Sequence, residues 1–76
     1  MSYAEERIYT ASVRLDYAEK GFKESAKKSA ELILNATSAD EIESIAKNLL
    51  LDKSVLDDAR GHYEYIKKQY IDEVKV

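Results

Sequence analysis

The chain has 76 residues, 45% apolar and 36% charged, with a net charge of −3, no cysteine, no proline and two glycines. That length bounds it to one small domain with barely enough buried surface to be stable alone, and the lack of cysteine excludes a disulfide framework or a thiolate metal site. The acidic balance argues against a dedicated nucleic-acid binder, and the apolar content argues against disorder.

Without proline, and with glycine only at Gly21 and Gly61, the punctuation of loops and strands is missing and long helices follow. The first arm, about 3–36, carries an apolar and small-residue seam in steps of four and three: Ala4, Ile8, Ala11, Leu15, Ala18, Phe22, then Ser25, Ser29, Leu32 and Ala36. A stripe of that period is the mark of a helix buried against another helix. Glu5, Glu6, Arg7, Arg14 and Asp16 interrupt its first twenty residues, so no signal-peptide core is expected, and no window approaches a membrane span. A cytoplasmic protein with no membrane partner is the expectation.

Lys20, Lys23, Lys27 and Lys28 form the one basic cluster, with the first three on one helical face that could track phosphates along RNA or DNA. Glu19 and Glu24 stand four residues before Lys23 and Lys28, so the spacing predicts a salt-bridged, solvated face instead. Over the same stretch, Ala18, Gly21, Phe22, Ala26 and Ala30 resemble the Ala-x-x-Gly-aromatic turn of helical hairpins in tetratricopeptide and microtubule-interacting-and-transport modules. The resemblance covers about a dozen residues and implies, if Gly21 breaks the first arm, a domain that docks peptide helices in a groove.

The clearest break is Asn35 to Ser38, where Asn can end a helix and Ser38 with Glu41 forms a capping box for the next. The turn falls at about 36–38. The second arm, about 39–74, resumes the frame at Ile42, Ile45, Leu49, Asp52, Leu56 and Ala59, and continues to Tyr63, Ile66 and Tyr70. Reflection about Thr37 sets small against large: Ser29 with Ile45, Ser25 with Leu49, Ala18 with Leu56, Leu15 with Ala59, Ala11 with Tyr63. That alternation suits close-packed antiparallel helices. One layer sets Phe22 against Asp52, and Ser54 with Asp57 could cap a fresh helix, so a break at 52–54 would make a three-helix bundle of 39–51 and 55–74 with the first arm. The intact heptad from Leu49 to Leu56 speaks for continuity.

The predicted fold is therefore all-α: an antiparallel helical hairpin or a three-helix bundle with coiled-coil-like packing. More apolar residues lie beside the seam than one contact face can hide, among them Val13, Ala26, Ala30, Ile33, Ala46 and Leu50. Continuous arms should then pair as a homodimer into a four-helix bundle.

Tyrosines concentrate away from the turn, and their apolar rings with a water-tolerant hydroxyl suit a partner contact, so Tyr9, Tyr17, Tyr63, Tyr65 and Tyr70 are the candidate partner-binding residues. His62, the only histidine, has Asp58 one turn before it, which is half a metal site, and no Glu-x-x-His pair accompanies it. No phosphate loop, nucleophile motif or paired carboxylates can be assembled. The expectation is a non-enzymatic protein–protein interaction module, for assembly, adaptation or regulation, with no catalytic residue, cofactor or metal. The alternative is a small dimeric nucleic-acid-binding regulator using Lys20, Lys23, Lys27 and Lys28.

Overall fold

A computed structural model describes residues 2–75 and shows two helices, α1 (Tyr3–Leu34, 32 residues) and α2 (Ala39–Lys75, 37 residues), packed as an antiparallel hairpin. The molecule is a rod of 59 × 16 × 13 Å, and the described residues include no strand. Among them, no helix is long and apolar enough to cross a membrane.

Each helix starts on a serine. Ser2 Oγ accepts the Glu5 N–H at 3.2 Å, with Glu5 and Glu6 in the first turn where negative charge favours the helix dipole. Ser38 Oγ accepts the Glu41 N–H at 3.2 Å in the same way. Here the acid reaches one residue further back than a standard capping box. Glu41 Oε2 accepts the Thr37 N–H at 3.2 Å and Oε1 accepts the Thr37 hydroxyl at 3.3 Å. The reversal is thus held by the side chains of Thr37, Ser38 and Glu41 and needs no glycine.

α1 ends at Leu34, two residues before the seam pattern suggests. Asn35 stays in the right-handed region at φ −97°, its N–H donates to the Leu32 carbonyl at 3.2 Å, and its side-chain amide donates to the Glu31 carbonyl at 3.1 Å. The last carbonyls are satisfied by a tightened final turn and not by a left-handed cap.

Two breaks that the sequence left open do not occur. α2 runs through 52–54 without interruption, so the third helix does not form. Lys53 Nζ lies 3.7 Å from Asp57 Oδ2, an i, i+4 pair within one continuous helix, and the intact heptad keeps Leu49 and Leu56 on the same seam. α1 likewise passes through Gly21, with no positive-φ glycine among the described residues, so the Ala-x-x-Gly-aromatic stretch makes no turn.

The buried residues among those described are Ala11, Leu56, Ala59 and Ile66, all on the seam. Most other seam residues are half-buried, whereas Leu32, Ile42 and Asp52 are exposed. At mid-length the rod divides into an open half (3–19 and 55–75) and a turn half (20–54). All four buried residues belong to the open half.

Candidate functional site

The five candidate tyrosines divide into two groups. Tyr63 and Tyr70 are half-buried seam residues, committed to helix packing, while Tyr9, Tyr17 and Tyr65 face solvent. Tyr65 Oη accepts a hydrogen bond from Gln69 Nε2 at 2.9 Å, which fixes its ring along α2. The other oxygen of that pair, Gln69 Oε1, is buried with no hydrogen-bond partner among the described residues.

The lysine cluster is exposed, as expected, but paired differently from the spacing argument. Lys20 Nζ lies 3.0 Å from Asp16 Oδ2, and on α2 Lys47 pairs with Glu43 at 3.2 Å. The expected pairs of Glu19 with Lys23 and Glu24 with Lys28 are not formed among the described residues, and Glu19 lies half-buried beside the seam. Among the described residues Lys23, Lys27 and Lys28 therefore have no ion-pair partner, and all three are exposed.

Near the chain ends, an open crevice of about 340 Å³ has Ala11 and Ile66 as its floor and Arg7, Arg14, Thr10 and His62 among its walls. The Arg7 guanidinium sits 5.6 Å from the centre of the Tyr3 ring. His62 is exposed, and no three histidine, aspartate or glutamate side chains gather into a metal-sized group among the described residues. A second crevice joins Ala4, Ile66, Gln69 and Tyr70, and a third, by the turn, joins Leu32, Asn35, Ser44 and Ile45.

These crevices share one flank of the hairpin, the side on which Arg7, Asn35, His62 and Gln69 stand. The opposite flank is reached by stepping one residue past each seam position. In the turn half that step gives an apolar run, Ala26, Ala30 and Ile33 on α1 and Ala46 and Leu50 on α2, closed at its ends by Lys23, Glu43 and Lys53. In an antiparallel pair these positions meet on one side, so they form a single apolar strip. Ala30, Ile33, Ala46 and Leu50 are all exposed.

Beyond this strip the turn half also exposes Leu32, Leu34, Ile42 and Leu51, the last at 68%. Leu51 is the aliphatic residue that stripe-counting overlooks. Its signal is the run Leu49-Leu50-Leu51, because three consecutive apolar residues on a helix span about 200° and cannot share one face.

The accessible surface is 6051 Å². A compact monomer of 8.7 kDa would expose about 4,700 Å², so the hairpin carries a surplus of about 1,300 Å². No protein-family model, curated protein or solved structure matches this chain.

Proposed function

We propose that this chain is a non-enzymatic protein–protein interaction module, acting by presentation of surface in an assembly, adaptor or regulatory role, and that a second copy completes a four-helix bundle. The observation that carries this reading is the exposed aliphatic surface of the turn half, where Leu32, Ile33, Leu34, Ile42, Leu50 and Leu51 are exposed and no residue is buried. Aliphatic surface of that extent is uncommon on a lone soluble domain and marks a contact. The exposed rings of Tyr9, Tyr17 and Tyr65 in the open half then serve as a separate contact for a protein partner.

Sedimentation equilibrium tests the reading directly. A two-chain mass at micromolar concentration is the expected result, and a single-chain mass up to hundreds of micromolar overturns self-association. Capture of a protein partner should survive high salt and be lost on Tyr65→Ala.

One observation favours the nucleic-acid alternative: among the described residues Lys23, Lys27 and Lys28 have no ion-pair partner. RNA or DNA binding that falls steeply with salt and vanishes when Lys20, Lys23 and Lys27 are changed to Glu would move the function to that face.

A further inference from the structure

We infer that the second copy docks on the smooth flank of the turn half, with α1 of each protomer lying against α2 of its partner and both turns at the same end. This rests on the self-association proposed above and adds its face and arrangement.

The surface surplus of about 1,300 Å² per chain exceeds the 800 Å² or so that each partner contributes to a standard interface, so the hairpin has enough uncovered area for a stable dimer. Charge then selects where the copies meet. Over 20–34, Lys20, Lys23, Lys27 and Lys28 against Glu24 and Glu31 leave α1 at +2. Over 39–54, Asp40, Glu41, Glu43 and Asp52 against Lys47 and Lys53 leave α2 at −2. In the open half both arms are acidic, −2 over 3–19 and −1 over 55–75, which accounts for the net −3. The turn half is thus the one region whose two arms attract each other's counterparts.

That split also sets the arrangement. A two-fold axis running along the rod lays α1 on the partner's α2, cation on anion, whereas an end-over-end two-fold lays α1 on α1 and α2 on α2, like on like. The rims fit the first case. On α2, Glu43 and Asp57 bracket exposed Leu50 at one-heptad spacing, and on α1, Lys20 and Lys27 share one face at the same spacing. With the turns level, reflection about Thr37 brings Lys27 to within about one helical turn of Glu43 and Lys20 to within about one turn of Asp57. The pairs these groups make within each helix are exposed i, i+4 contacts of small worth, so exchanging them across an interface costs little.

Two complementary double reversals and one matched apolar pair form the test, read by sedimentation with helicity followed by circular dichroism. Lys20→Glu with Lys27→Glu in one chain, and Glu43→Lys with Asp57→Lys in another, should each weaken self-association by at least about tenfold, and an equimolar mixture should restore the two-chain mass. Leu50→Glu on the smooth flank should dissociate the dimer, while Leu51→Glu, equally exposed on the creviced flank, should leave it intact. These two keep the test decisive should a double reversal fail to fold. A monomeric wild-type chain removes self-association altogether. A dimeric wild type whose reversed chains still self-associate, or that dissociates with Leu51→Glu and not with Leu50→Glu, overturns this arrangement and leaves self-association standing.

Discussion

The two halves of the rod share one heptad frame and differ in what that frame buries. In the open half Ala11, Leu56, Ala59 and Ile66 are all buried, while in the turn half Ile45 and Leu49 are only half-buried at the levels of Ser25 and Ser29. The difference lies at the flanks. Half-buried Arg7 and Gln69 lay long side chains beside the open-half seam, whereas Gly21, Ala26 and Ala46 are too short to cover anything. The exposed large apolar side chains differ in kind as well: Tyr3, Tyr9, Tyr17 and Tyr65 beside Val55, Ile71 and Val74 in the open half, wholly aliphatic in the turn half. A heptad frame therefore gives the direction of a contact, and the flanking residues give its depth.

The largest effect that can break this contrast comes from the same truncation in each half. Leu56→Ala should cost about 2–3 kcal/mol in urea unfolding, because it empties a buried site. Leu50→Ala, 67% exposed, should cost less than about 0.5 kcal/mol at concentrations where the chain is monomeric. Equal costs would abolish the distinction between a packed half and an uncovered one.

Next in size are the caps. Ser38→Ala should lower stability by about 1 kcal/mol, since it frees the Glu41 N–H and loosens the reversal, while Ser2→Ala should cost a few tenths because a terminal turn can fray. Thermal melts separate the two. Gly21 and Gly61, one in each half, sit within helices where an added methyl meets nothing within 4 Å. Substitution by alanine should therefore raise stability by about 0.5–1 kcal/mol at either position, and a loss at one alone would reveal packing that this hairpin does not contain. Smallest is Asp52→Leu, which should gain about 0.5 kcal/mol by extending the apolar seam opposite Phe22. Destabilisation there would mean that Asp52 holds a helix end, contrary to the unbroken α2.

Much of the fold was legible in the residues. Ser38-x-x-Glu41 marks the reversal, and every buried residue among those described lies on the seam read from spacing, whereas the Ser2 cap of the first helix was not read from the sequence. The candidate site was less so. Tyr63 and Tyr9 are the same residue type, and only their seam and off-seam positions assign one to packing and the other to solvent. Ion pairing was the least legible part, because exposed lysines choose among several acids at small energy differences: Lys20 takes Asp16, while Lys23 does not take Glu19.

By itself the sequence determined that two long helices form, where they begin and turn, and which face each turns inward, since these follow from local hydrogen bonding and from the period of apolar residues along one chain. Only the tertiary structure decided that α2 continues through Asp52, Lys53 and Ser54, that burial is confined to the open half, and that Leu51 stands uncovered. Those outcomes depend on which side chains from the opposite helix reach across a given level, and that cannot be read from either helix alone.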